Sequence, residues 1–172
     1  MSALVLIGPM GAGKTSIGRR VAKALGLPFT DTDAAIVRAH GPIEHIFATH
    51  GEPHFRAVER DAVREALEAG GVVALGGGAI LDPDTRVALV DHRVVLLTVA
   101  PDTIASRIRD TTRPLLQGED AVARWNEIYQ ARRSLYEEAA DVTFDTSDGP
   151  LQEVVDAVAH WAAATESSKE HA

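Results

Sequence analysis

Ala3-Leu-Val-Leu-Ile-Gly-Pro-Met-Gly-Ala-Gly-Lys-Thr-Ser16 decides how the rest of the chain is read. The apolar run Ala3–Gly8 predicts a short buried strand. It passes directly into G-x-x-x-x-G-K-T at Gly8 to Thr15. Ser16–Leu25 then carries Ile17, Val21, Ala24 and Leu25 at helical spacing, closed by Gly26. Strand, glycine loop and helix in that order are the context a phosphate-binding P-loop requires. Gly8, Gly11 and Gly13 permit backbone angles that other residues resist, so successive N–H groups can turn toward one anion. The helix begun near Gly13 points its positive end at the same anion. Gly11, Ala12, Gly13, Lys14, Thr15 and Ser16 are therefore the candidate nucleotide-binding residues. Lys14 can reach the β- and γ-phosphates, and the Thr15 hydroxyl can ligate Mg²⁺.

Outward from this loop, strand patterns alternate with helical ones. Strands are predicted at Pro28–Asp31, Val72–Leu75, Val94–Val99 and Val142–Thr146. Helices are predicted at Asp33–His40 with an Asp cap, Ile43–His50, Pro53–Ala69, Asp84–Val90, Pro101 to about Arg109, Ala121–Ala139 and Leu151–Ala164. The alternation predicts an α/β fold, three layers α/β/α around a five-stranded parallel sheet. Ligands of such sheets gather at the carboxyl ends of the strands. The P-loop, Asp31/Asp33, Gly76–Gly78 and the segment after Val99 all fall at that edge.

The 172 residues suit one domain, expected over 1–164, with a polar frayed tail at 165–172. Hydrophobic content of 45% and charged content of 24% are ordinary for a globular protein. A net charge of −8 argues against nucleic acid as partner, and requires any anion site to focus positive charge locally. The absence of cysteine excludes disulfides, thiol catalysis and Cys-based zinc sites. No signal peptide and no apolar run long enough for a membrane span are found, so a cytoplasmic protein is expected, acting as a monomer.

Asp31-Thr32-Asp33 ends the second strand. The two carboxylates can have separate jobs, one near a metal and one facing an acceptor, or Asp33 can simply cap the next helix. The third strand ends in glycine without the usual Walker-B acid, so Asp31 is the best-placed carboxylate for Mg²⁺. Gly76-Gly77-Gly78 offers bare N–H groups to a close ligand, or else serves as a flexible connector. Arg56 and Glu59 share a helix face, either as a carboxylate-gripping fork with its orienting acid or as a surface ion pair. Arg113-Pro-Leu-Leu116 lies in an irregular stretch that suits a lid over about 110–121, delivering an arginine to a transferring phosphoryl group. His50 and His54 have metal-pair spacing, but Gly51 and Pro53 interrupt the helix that such a pair needs. Trp125, Tyr129 and Tyr136 read as packing.

The ordered set G-x-x-x-x-G-K-T, D-T-D, G-E-x-x-F-R-x-x-E, G-G-G, R-P-L-L and R-x-x-L-Y resembles the shikimate kinase family of nucleoside-monophosphate-kinase-like P-loop proteins, over roughly residues 3–160. The resemblance implies ATP as co-substrate, one Mg²⁺ per subunit, and transfer to the 3-hydroxyl of shikimate in the pathway to chorismate and aromatic amino acids. By position it implies that Lys14 and Thr15 serve ATP and the metal, and that Asp31 supports the metal through water. Asp33 would contact acceptor hydroxyls as the base candidate, so that Asp33, Lys14 and Arg113 form the catalytic set. Arg56 and Arg132 would bind the shikimate carboxylate, with Arg133 as the fallback for Arg132, and Glu59, Gly76, Gly77 and Gly78 would complete an acceptor site centred on residues 33–62. Arg109 and Pro150 would flank the adenine.

Two positions depart from the family pattern. Thr15-Ser16 stands where Ser-Thr is usual, and the hydroxyl is kept; Ser134 replaces a proline before Leu135-Tyr136. A gluconate kinase shares the P-loop but is not expected to carry the full set. A GTPase should show N-K-x-D and, after its third strand, D-x-x-G; neither occurs. An inactive binding module is disfavoured because none of the expected charged positions is lost.

Overall fold

A computed structural model describes residues 2–108 and 120–169, with side chains through 166. Among them, five strands form one parallel sheet in the order β2-β3-β1-β4-β5: β1 (Leu4–Ile7), β2 (Phe29–Asp31), β3 (Val72–Ala74), β4 (Arg93–Thr98) and β5 (Val142–Asp145). The helices are α1 (Lys14–Leu25), α2 (Thr32–His40), α3 (Ile43–His50), α4 (Glu52–Ala69), α5 (Pro83–Leu89), α6 (Pro101–Arg107), α7 (Ala121–Ala139) and α8 (Leu151–Lys169).

β1 is buried along its whole length because the sheet is covered on both faces, which is why it reads as an unbroken apolar run. Leu4 and Leu6 pack with Ile17 and Val21 of α1 and Val158 of α8, while Val5 and Ile7 pack on the other side with Val63 and Leu67 of α4. Ile36, Ile46 and Phe55 give α2, α3 and α4 a small core of their own beside the sheet. No helix among the described residues is long and apolar enough to cross a membrane.

The register explains why distant motifs meet. Asp31 pairs with Ala74, and Ala74 pairs with Leu6, so the acid after β2, the glycines after β3 and the loop after β1 leave the sheet side by side. Gly8 makes the turn out of β1 at φ 144°, and a Cβ there would overlap the Leu97 carbonyl of β4. Gly8→Ala therefore combines strain with a backbone overlap. A loss of about 3 kcal/mol is expected, lowering the melting midpoint by roughly 6–12 °C; a midpoint within about 2 °C of the parent in a thermal melt would contradict the packing described.

Several boundaries differ from the sequence reading, most by one or two residues, and two of them matter for the fold. α2 begins at Thr32, and its cap is Asp31 rather than Asp33: the Asp31 carboxylate accepts from Ala34 N at 3.2 Å. α8 runs to Lys169, so residues 165–169 continue a helix instead of fraying. No glycine or proline falls between Thr165 and Lys169 to break the helix, and the Thr165 hydroxyl bonds the Trp161 carbonyl one turn back at 2.9 Å. A 3₁₀ turn at Ala79–Leu81 follows the glycines directly. The lid expected over 110–121 lies largely outside the described residues, and its last position, Ala121, already belongs to α7.

Candidate active site

Two cavities open at the carboxyl edge of the sheet, of about 240 Å³ and about 350 Å³. The smaller is lined by Gly11, Gly13, Lys14, Thr15, Ser16 and Asp31. The larger is lined by Phe47, Phe55, Arg56, Glu59, Gly78 and Arg132, among others. Met10, Asp33, Gly76 and Gly77 line both, so the two cavities share a wall.

On the P-loop side, Gly13 takes a left-handed conformation (φ 93°) and opens α1 with no side-chain cap. The first-turn N–H groups and the positive helix end therefore face the cavity. Lys14 Nζ curls over its own loop, donating to the Gly8 carbonyl at 2.7 Å and the Pro9 carbonyl at 2.9 Å. Thr15 Oγ1 donates to Asp31 Oδ2 at 2.5 Å. That pair supplies one hydroxyl and one carboxylate, and no cluster of three or more metal-binding side chains occurs among the described residues. This sparse oxygen donor set fits Mg²⁺, which keeps several waters and takes the rest of its shell from substrate phosphates.

With Asp31 at the cap, Asp33 sits in the first turn of α2 and lines the shared wall. Thr32, between them, is fully buried: its hydroxyl bridges the Ala74 carbonyl at 3.4 Å and Gly76 N at 3.3 Å. The middle residue of D-T-D thus pins the glycine loop and the end of β3 to the start of α2, a role that spacing alone did not reveal.

Gly76 and Gly78 leave room for a charged group, whereas Gly77 lies at ordinary contact distance from its neighbours. A Cβ on Gly76 would come within 2.6 Å of Asp33 Oδ1 and 3.0 Å of Glu59 Oε2. One on Gly77 would come within 3.4 Å of Met10 Cγ and 3.6 Å of an Arg132 nitrogen. One on Gly78 would run into the Arg56 guanidinium. The flexible-connector reading does not account for such close approaches.

Arg56 donates to Glu59 at 2.9 Å and to Glu52 at 3.2 Å, and its Nε is buried with no partner among the described residues. Glu59 is itself buried; desolvation pushes its carboxyl above the ordinary range, against the opposing pull of Arg56 and with a further push from Asp33. The pair is therefore no surface ion pair but a cation held at the cavity by a buried acid. Arg132 is buried and lines the cavity, whereas Arg133 is exposed and paired with Glu137 at 2.8 Å. α7 passes through Ser134 without a break, so the missing proline costs no turn here.

Several residues that hold this geometry were not singled out from the sequence. One of them is Arg107. Its guanidinium bonds the Gly11 carbonyl at 3.0 Å and the Thr146 carbonyl at 2.6 Å, tying the P-loop to the end of β5. The Thr146 hydroxyl lies 2.9 Å from the Ala12 carbonyl. Trp125 and Tyr136 do pack, as expected, and also bond the carbonyls of Met10 and Gly77. Arg109 and Arg113 lie outside the described residues. Pro150 is exposed immediately before α8. His50 and His54 fall on either side of the break at Gly51, with ring centroids 4.5 Å apart.

A parallel five-stranded sheet with a P-loop, opening beside a second cavity lined by acids and arginines, defines a small-molecule kinase of the P-loop class. The comparisons narrow this. A family model described as Shikimate kinase matches residues 10–163, and the chain belongs to that family. The shikimate kinase of Streptomyces avermitilis is 48% identical over 158 residues, 90% of this chain and 92% of its own. A solved shikimate kinase from Acinetobacter baumannii, in complex with shikimate, superposes with a TM-score of 0.90 at 34% identity, covering 96% of this chain and 94% of that one. A gluconokinase from Sinorhizobium meliloti is similar in fold alone, with a TM-score of 0.61 at 20% identity.

Proposed function

We propose that this chain transfers the γ-phosphoryl group of ATP to the 3-hydroxyl of shikimate, giving shikimate 3-phosphate and ADP. The observation that carries the reading is the shared wall: Asp33 lines both the P-loop cavity and the cavity bearing Arg56 and Arg132. A hydroxyl placed there faces a phosphate placed on the P-loop. Shikimate is a small ring with one carboxylate and three hydroxyls. Arg56 and Arg132 match the carboxylate, Glu59 holds Arg56 in place, and the glycine backbone allows the ring to approach closely.

In this reading Asp33 orients the hydroxyl and accepts its proton as the oxygen–phosphorus bond forms and the bond from phosphorus to the ADP oxygen breaks. Lys14, joined by Arg113, neutralises charge on the phosphoryl oxygens in flight. Arg109 and Pro150 are assigned to the adenine. Thr15 and, through water, Asp31 would hold a single Mg²⁺, which when bound draws charge from the phosphate oxygens. A monomer is the working unit this reading proposes. The cytoplasm, where ATP is kept, is the setting this reading implies.

The test is a coupled ADP-release assay over shikimate, gluconate and nucleoside monophosphates. Shikimate alone is expected to stimulate release; stimulation by gluconate instead would move the assignment to the sugar-acid kinases. Arg56→Ala is expected to raise KM for shikimate by roughly 100-fold, as loss of a charge-assisted fork implies, while KM for ATP stays within about threefold. Equal changes in both KM values would contradict the role given to Arg56.

A further inference from the structure

Helix α7 lines the acceptor cavity and bonds the P-loop beside it. Trp125, Arg132 and Tyr136 are its buried residues, at spacings that place them along one face. Arg132 lines the acceptor cavity directly. The other two hold loop carbonyls: Trp125 Nε1 donates to Met10 O in the P-loop at 2.7 Å, and the Tyr136 hydroxyl donates to Gly77 O. The two loops meet where these carbonyls sit, since a Cβ on Gly77 would lie 3.4 Å from Met10 Cγ.

In a trans peptide the carbonyl and the N–H that follows it point in opposite directions, and no cis bond occurs among the described residues. Drawing the Met10 carbonyl toward α7 therefore turns the Gly11 N–H away from α7. Drawing the Gly77 carbonyl toward α7 does the same to the Gly78 N–H. Neither N–H has a hydrogen-bond partner among the described residues. Gly11 lines the nucleotide cavity and Gly78 the acceptor cavity. We propose that Trp125 and Tyr136 are positioning residues, through which α7 sets the direction in which the P-loop and the glycine loop present N–H groups to nucleotide phosphate and to acceptor.

This rests on the two-substrate reading above. Packing alone also accounts for buried aromatics, as Trp125 belongs to the core on one side of the sheet and Tyr136 to the core on the other. The two accounts differ in which substrate's constant moves when each donor is removed. Burial pushes the Tyr136 hydroxyl up to about 12, so it stays a donor across the working pH range. A packing role assigns that proton no effect on one substrate over the other.

Tyr136→Phe and Trp125→Phe are compared with the parent by ADP titration calorimetry, steady-state KM for shikimate at saturating ATP, and thermal melts. Tyr136→Phe is expected to raise KM for shikimate about threefold to tenfold, with kcat within about threefold and the Kd for ADP within about twofold. Trp125→Phe is expected to show the reverse split, a Kd for ADP raised about threefold to tenfold and KM for shikimate within about twofold. Both constants unchanged, or both shifted together in each variant alongside a lowered melting midpoint, would overturn the proposal in favour of packing. The ADP titration needs no acceptor, so the Trp125 arm still reports if the parent fails to phosphorylate shikimate.

Discussion

Asp33→Asn is expected to lower kcat by about 100-fold to 10,000-fold, the range for loss of a positioned proton acceptor, with the Kd for ATP within about threefold of the parent. The substitution keeps the shape of the side chain and its place in the first turn of α2, where a carboxylate stabilises the helix end by only about 0.3–1 kcal/mol. The cap itself is Asp31, so the fold keeps its anchor. In the proposed mechanism, the amide removes the group that takes the hydroxyl proton on the wall shared by the two cavities. Single-turnover kinetics with saturating ATP and shikimate measure the effect. A rate within about tenfold of the parent would show that Asp33 neither accepts the proton nor orients the hydroxyl.

Lys14→Met is expected to reduce kcat/KM for ATP by about 1000-fold, near the upper end for deleting one preorganised donor to developing charge. In the proposed mechanism, the P-loop of a chain of net charge −8 relies on this ammonium and on oriented N–H groups to hold a polyphosphate. Lys14 is already seated over the Gly8 and Pro9 carbonyls, so its side chain is aligned before the ligand arrives. Lys14→Arg is not expected to restore activity, because a planar fork cannot occupy the same point position. Circular dichroism separates lost chemistry from lost structure. A value of kcat/KM within tenfold of the parent in either variant would contradict the assignment.

The parts of this architecture that depend on local pattern were legible in the sequence. α3 begins and ends at Ile43 and His50 as the turn residues on either side dictate, and α7 spans Ala121 to Ala139 as its periodicity predicts. The P-loop was unambiguous because strand, glycines and helix are contiguous. The cap of α2 was misplaced because either aspartate of Asp31-Thr32-Asp33 can accept an N–H; only the pairing of Asp31 with Ala74 decides which one still belongs to the strand. Thr32 at Gly76, Arg107 at Gly11, Trp125 at Met10 and Tyr136 at Gly77 left no local signal, since each joins segments far apart in the chain. The individual motifs were readable one by one; the side chains that hold them against one another became visible only once the parallel register set their neighbours.

The central claim is that Asp33 stands where a donor phosphate and an acceptor hydroxyl meet. A crystal structure with ADP and shikimate bound tests it most directly. The account predicts the shikimate 3-hydroxyl within hydrogen-bonding distance of Asp33 and turned toward the β-phosphate of ADP, with the carboxylate on Arg56 and Arg132. A shikimate carboxylate facing the P-loop, or a 3-hydroxyl out of reach of Asp33, would contradict it.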